Sequence, residues 1–71
     1  MFATVVAELI LRSIKLGEVV TTLPTGRRLK CRYRDGLFAC GYSDDHESWK
    51  CAMVTNSPDE AQRVFLKISG K

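Results

Sequence analysis

The chain lacks the short motifs that mark common enzyme classes. Its 71 residues contain no glycine-rich phosphate-binding loop, no dinucleotide fingerprint and no His-Glu-x-x-His metal motif. The one histidine, His46, stands beside Asp44, Asp45 and Glu47 in a polar segment, which is typical of a solvated turn. An alternative, in which these carboxylates act with His46 as acid and base or hold a divalent cation, stays open. We expect a protein that is not an enzyme.

The cysteines do not form a zinc-binding pattern. Cys31, Cys40 and Cys51 are nowhere separated by the two residues that are typical of a zinc knuckle. We therefore expect no metal and no other cofactor. Free thiols that pack in the core as small apolar side chains are the simplest interpretation.

Long hydrophobic runs are absent too, and the segment from Phe2 to Leu16 is the only candidate for a membrane or targeting segment. It carries three charged residues, is too short to span a bilayer and has no signal-peptide features. We expect no membrane association and a cytoplasmic location, where thiols stay reduced. With 45% hydrophobic and 27% charged residues and no internal repeat, residues 1–71 are expected to form a single small domain.

Hydrophobic periodicity predicts a helix at each end of the chain. The first runs from Thr4 to Leu16, and its predicted buried arc consists of Val5, Val6, Leu9, Ile10, Ile14 and Leu16. The second begins with the capping box Ser57-Pro58-Asp59-Glu60, and its predicted buried stripe consists of Ala61, Val64, Phe65 and Ile68. Leu11 and Leu66 are expected to be exposed.

Two turn motifs predict the register of three strands. Pro24-Thr25-Gly26 is typical of a three-residue hairpin loop, and Asp35-Gly36 is typical of a two-residue one. The first loop predicts the pairs Val19 with Cys31, Thr21 with Leu29 and Glu18 with Arg32. The second predicts three pairs on one face, Leu29 with Tyr42, Cys31 with Cys40 and Tyr33 with Phe38. That face is the predicted core face, and the two cysteines on it lie close enough to be bridged.

A fourth strand is predicted from Trp49 to Val54, after a longer polar loop. Its predicted pairs are Trp49 with Tyr42, Cys51 with Cys40 and Met53 with Phe38, so all three cysteines and every strand aromatic would lie on the core face. The predicted fold is α+β: an N-terminal helix, a four-stranded antiparallel meander and a C-terminal helix, with both helices on one face of the sheet. The other face is left open to solvent.

The predicted open face carries a dense positive charge. Residues 28–34 alternate between cations and apolar residues, which only an extended strand converts into one basic and one apolar face. Residues 27–34 hold five of the eleven Lys and Arg residues, and the rest of the chain has six basic and eight acidic residues. The whole positive excess therefore lies here. We expect a site for an anionic partner, formed by Arg28, Lys30, Arg32 and Arg34, with Arg27 and Lys50 at its margin.

Two kinds of partner suit this face. Nucleic acid, either DNA or RNA, is the leading expectation, because each cation that neutralises a phosphate releases a counterion. Base stacking is not expected, since no aromatic side chain is predicted on the open face. The alternative is a protein-interaction module, such as a phage or mobile-element inhibitor or adaptor that docks on an acidic surface of a host complex. A homodimer belongs to this alternative.

The order of elements resembles, in outline, a double-stranded-RNA-binding domain. That family has a basic N-terminus on its last helix, where this chain has Pro58-Asp59-Glu60. The order is also similar to small β-sheet DNA-binding proteins. Both resemblances cover topology and no motif, and they assign no family.

Overall fold

Helices and strands occur in the predicted order. The computed structural model describes residues 3–44 and 48–70. The elements are α1 (Ala3–Leu16), β1 (Glu18–Thr22), β2 (Arg28–Arg34), β3 (Leu37–Ser43), β4 (Lys50–Thr55) and α2 (Pro58–Ser69). The candidate acid-base or cation site around His46, with Asp45 and Glu47, lies outside the described residues.

The strands form one antiparallel sheet in the order β1-β2-β3-β4. Helix α1 packs against β1 and β2, α2 packs against β3 and β4, and the two helices contact one another. Both helices cover the same face, because the core combines residues of both with alternate residues of β2 and β3. Its buried apolar members are Val6, Leu9, Ile10, Leu23, Leu29, Cys31, Phe38, Cys40, Ala61 and Phe65. The predicted α+β architecture is confirmed.

Two tight turns set the register of β1, β2 and β3 as predicted. In the first, the Leu23 N–H donates to the Arg27 carbonyl at 2.8 Å, and Gly26 adopts a left-handed φ of 96°. In the second, Asp35 and Gly36 both have positive φ, 55° and 77°, as a type I′ turn requires. All six pairs predicted for these strands are present.

The register of β4 differs from the prediction. The observed pairs are Phe38 with Thr55, Ala39 with Val54, Cys40 with Met53, Gly41 with Cys51 and Tyr42 with Lys50. A β-bulge between Cys40 and Gly41 places an extra residue in β4. The predicted pairs assumed a regular ladder and were wrong. Because successive residues of a strand point to opposite faces, the bulge takes Cys51 off the core face.

The buried face of α1 is narrower than predicted. Of the predicted arc, Val6, Leu9 and Ile10 are buried, whereas Val5, Ile14 and Leu16 are exposed. Ser13 takes a core position instead: its hydroxyl donates to the Ile10 carbonyl at 2.7 Å and accepts from the Cys31 thiol at 3.2 Å. A buried serine is tolerated here because its hydroxyl is satisfied inside the fold.

Helix α2 begins as predicted, but its cap is built differently. The Glu60 N–H donates to the Ser57 hydroxyl at 3.2 Å, which is the first half of a capping box. In a capping box the second bond runs from the Ser57 N–H to the Glu60 carboxylate, and here Thr55 bridges these two groups instead. Its hydroxyl accepts from the Ser57 N–H at 3.1 Å and donates to the Glu60 carboxylate at 2.5 Å. The cap therefore also ties α2 to the end of β4.

The buried stripe of α2 is close to the predicted one. Ala61 and Phe65 are fully buried, and Val64 and Ile68 are half-buried against the core. Leu66, which was predicted to be exposed, is half-buried as well. The helix therefore packs with a wider apolar face than the periodicity indicated.

No helix in residues 3–44 and 48–70 combines the length and the hydrophobicity that crossing a membrane requires.

Candidate nucleic-acid interface

Cations stand in a row on the open face of the sheet. They occupy alternate positions of β2, at Arg28, Lys30, Arg32 and Arg34. Strand β1 lies on one side of β2 and β3 on the other, so the row runs inside the sheet and not along its edge. Residues two apart on a strand are about 7 Å from one another, so the row is about 20 Å long.

Trp49 packs against two of these cations. The Arg28 Cζ atom lies 4.9 Å from the centre of the Trp49 ring, and the Lys30 Nζ atom lies 4.5 Å from it. Both distances are within the range of cation–π attraction. Trp49 therefore lies on the open face, and its predicted position in the core was wrong. The objection that this face offers no aromatic side chain no longer holds.

The β-bulge accounts for the position of Trp49. Lys50 pairs with Tyr42, whose side chain is on the core face, so the preceding residue, Trp49, points to the opposite face. The indole reaches β2 across β3, where Gly41 is opposite Lys30 and has no side chain. A Cβ atom on Gly41 would lie 3.1 Å from the Lys50 carbonyl oxygen. A glycine inside a strand is typical of such bulges, and it is the sequence signal that could have revealed this register.

A shallow groove of about 190 Å³ runs beside the indole. Strand β3 contributes the small residues Ala39 and Gly41 to its lining, β2 contributes Lys30 and Arg32, and the β4 side contributes Trp49 and Cys51. The groove therefore has a small apolar floor, with basic residues on its β2 side and the indole, over which the Lys30 ammonium lies, on its β4 side.

A single carboxylate lines the groove among the described residues. Glu18 on β1 lies opposite Arg32 in register and is part of the lining. The sequence predicted this residue only as the register partner of Arg32. Its position at the end of the groove adds a hydrogen-bond acceptor to a surface that otherwise presents donors.

Arg27 and Lys50, the predicted margin of the site, do not lie on the open face. The Arg27 guanidinium donates to both carboxylate oxygens of Asp44, at 2.6 and 2.9 Å, and to the Ile68 carbonyl at 3.0 Å. This ties the end of α2 to the loop after β3, and hydrogen bonding to Arg27 holds the pKa of Asp44 below its usual value. Both cations lie over Tyr42, with the Arg27 Cζ 4.8 Å and the Lys50 Nζ 5.9 Å from the ring centre.

The cysteines are free and lie on both faces of the sheet. Cys31 and Cys40 are buried on the core face; burial raises the pKa of Cys40 to about 12 and also raises that of Cys31. Cys51 is exposed in the groove, so its predicted place in a core row was wrong. Within residues 3–44 and 48–70, no three His, Cys, Asp or Glu side chains are grouped so as to hold a metal ion.

No protein-family model, curated protein or solved structure matches this chain. The basis for a functional proposal is therefore the chemistry of the open face.

Proposed function

We propose that the protein is a non-enzymatic nucleic-acid-binding module and that DNA or RNA lies along the open face of its sheet. The observation that carries the proposal is the row of Arg28, Lys30, Arg32 and Arg34 beside the indole of Trp49. A line of cations complements a polyanionic backbone. An aromatic ring on the same surface complements the faces of bases.

Repulsion among the four cations of β2 favours the binding of a polyanion over a face that is only solvated. Unit charges about 7 Å apart repel by about 0.6 kcal/mol in water, so three adjacent pairs cost on the order of 1 to 2 kcal/mol before salt screening. Cation–π attraction to Trp49 offsets part of this for Arg28 and Lys30, because such contacts contribute about 0.5 to 1 kcal/mol at exposed sites. A phosphate backbone lying along the row removes the remaining repulsion and releases counterions.

A protein partner is the second candidate, and α1 supplies the observation in its favour. Leu11 and Ile14, which are neighbours three residues apart on this helix, are exposed at 62% and 45%. Adjacent exposed apolar side chains are typical of contact surfaces. In this candidate the protein is an inhibitor or adaptor of phage or mobile-element origin whose basic face meets an acidic protein surface, or a homodimer. Both candidates act in the cytoplasm, where free thiols stay reduced.

Binding of the protein to duplex DNA, single-stranded DNA and RNA over a range of salt concentrations tests the proposal. An open-face variant replaces Arg28, Lys30, Arg32 and Arg34 with Gln. A control variant replaces Arg12, Lys15, Arg63 and Lys67 on the helices with Gln, so each variant loses the same number of positive charges.

We expect the control variant to bind nearly as well as the wild type. The open-face variant should bind weakly. The slope of its log affinity against log salt concentration should also become shallower, by about 0.7 to 0.9 for each phosphate that the protein no longer neutralises. Equal weakening in the two variants, or no binding of any nucleic acid by the wild type at low salt, would contradict the proposal. A stoichiometric protein partner captured from nuclease-treated lysate by the wild type, but not by Leu11→Asp, would then favour the second candidate.

A further inference from the structure

The groove beside Trp49 indicates which form of nucleic acid fits the open face. Resting on the proposed function, we propose that this groove is a base-binding subsite and that the open face takes single-stranded DNA or RNA. One base stacks on Trp49 in the groove, where it displaces the Lys30 ammonium that lies 4.5 Å from the ring centre, while the sugar-phosphate backbone follows the row of cations on β2.

The lining of the groove matches a base better than it matches a phosphate. Ala39 and Gly41 leave a low floor on β3, and the Trp49 indole stands at one side of it. A base has apolar faces that stack on an aromatic ring, whereas a phosphate gains nothing from such a wall. Arg32 lines the β2 side of the groove, and Lys30, once the base has displaced it from the ring, lies next to it, so the two can hold the phosphates on either side of the inserted base.

Glu18 gives a second, independent indication. A carboxylate at the end of the groove repels a phosphate but accepts a hydrogen bond from an exocyclic amino group. Cytosine presents such an amino group at the position where uracil and thymine present a carbonyl oxygen. The groove should therefore bind cytosine in preference to uracil.

A duplex cannot use this subsite. Its bases are paired and stacked inside the helix, so a duplex lying on the face meets the cations of β2 with its phosphates alone. Single strands, whose bases are free to turn outward, gain the stacking contact in addition. The open face should consequently prefer single strands to duplexes of the same sequence.

Trp49 provides the readout, because it is the only tryptophan in the chain. Its fluorescence is followed while the protein is titrated with oligocytidine, oligouridine and a strand of abasic sugar-phosphate of the same length. We expect oligocytidine to quench the fluorescence and to bind about tenfold more tightly than the abasic strand, which is the size of one base stacked on an aromatic ring. Oligouridine should lie between them, and Glu18→Gln should remove the difference between the two oligonucleotides.

Variants of the ring complete the test. Because these variants lack the only tryptophan, their binding is measured from the fluorescence anisotropy of end-labelled strands. Trp49→Ala should weaken oligocytidine binding about tenfold with no effect on the abasic strand, and Trp49→Phe should restore most of the affinity. Val54→Ala, which changes an exposed apolar residue on the same face outside the groove, should bind as the wild type does. Circular dichroism checks that each variant is folded.

The outcomes separate the two proposals. If the abasic strand binds as tightly as oligocytidine and leaves the fluorescence unchanged, the base subsite is wrong and the charge-based function stands. If no strand binds at low salt, both proposals fail together. A protein partner whose capture from nuclease-treated lysate depends on Trp49 would overturn the subsite as well.

Discussion

The ammonium nitrogen of Lys30 lies 4.5 Å from the centre of the Trp49 ring. This contact joins β2 to the residue before β4 across the whole width of β3. It places an aromatic ring and a row of cations on one surface, and the proposed nucleic-acid binding depends on that combination. It also depends on Gly41 at the β-bulge, where an added Cβ atom would crowd the backbone of Lys50, the residue after Trp49.

Gly41→Val should remove this arrangement. The new Cβ atom would lie 3.1 Å from the Lys50 carbonyl oxygen, so the backbone of the bulge must give by a few tenths of an ångström. We expect the free energy of unfolding to fall by about 1 to 3 kcal/mol, as for other overpacked sites, and nucleic-acid binding to weaken. Urea denaturation measures the first effect. Ala39→Val on the same strand and face is the control, and equal stability of the two variants would show that Gly41 has no special role.

Arginines on the two sides of the sheet should have separable roles. Arg27 is committed to Asp44 and the Ile68 carbonyl on the helix side of the sheet, whereas Arg32 is exposed in the row on the open face. Arg27→Gln should lower the urea midpoint and leave nucleic-acid affinity nearly unchanged, and Arg32→Gln should do the reverse. Arg27→Lys should not rescue stability, because an ammonium cannot reproduce the planar fork. If Arg27→Gln instead weakens nucleic-acid binding and leaves the urea midpoint unchanged, the structural role assigned to Arg27 is contradicted.

Stability should depend on the protonation of Asp44. Its pKa in the folded protein is held below the usual value, first by the hydrogen bond from Arg27. The ionised carboxylate therefore stabilises the fold above its unfolded pKa of about 4, and that contribution disappears as the pH falls through the lower folded pKa. Wild type should be more stable than Asp44→Asn at neutral pH, with the difference vanishing in acid. If wild type remains more stable than Asp44→Asn in acid, the ionised carboxylate of Asp44 is not the source of the difference in stability.

The three thiols should react in two classes. Cys51 is exposed in the groove, whereas Cys31 and Cys40 are buried and burial raises the pKa of both, so they offer little thiolate. A disulfide reagent should modify one thiol in the native protein and all three in denaturant. Bound single-stranded nucleic acid should slow the native reaction, and Cys51→Ser should abolish it. Rapid modification of a second thiol in the native state would contradict the placement of the core cysteines.

The sequence predicts the first three strands well and the fourth poorly, for a physical reason. Short loops with residues at positive φ, such as Asp35 and Gly36, leave a single register for the strands that they join. The connection from β3 to β4 is longer, and the β-bulge at Gly41 adds a residue that no turn motif reveals. Because strand side chains alternate, that one residue moved Trp49 and Cys51 to the open face.

The sequence predicted the row of cations at the candidate site, but it did not predict that Trp49 lies beside them. The cations of β2 follow from the alternation in residues 28–34, which any strand converts into a basic face. Arg27 and Lys50 could not be placed from spacing, because the partners of Arg27, Asp44 and the Ile68 carbonyl, lie far from it in sequence. The positions of these side chains depend on partners that are distant in sequence, and a local sequence pattern carries no information about such partners.

The central claim is that nucleic acid lies along the open face, and an NMR titration of the isotope-labelled protein with a single-stranded oligonucleotide tests it most directly. We expect the Trp49 indole N–H, the arginine side-chain signals of β2 and the amides of residues 28–34 and 37–43 to shift, while the exposed surfaces of α1 and α2 do not. Shifts confined to the helices, or no shift at low salt, would contradict the claim.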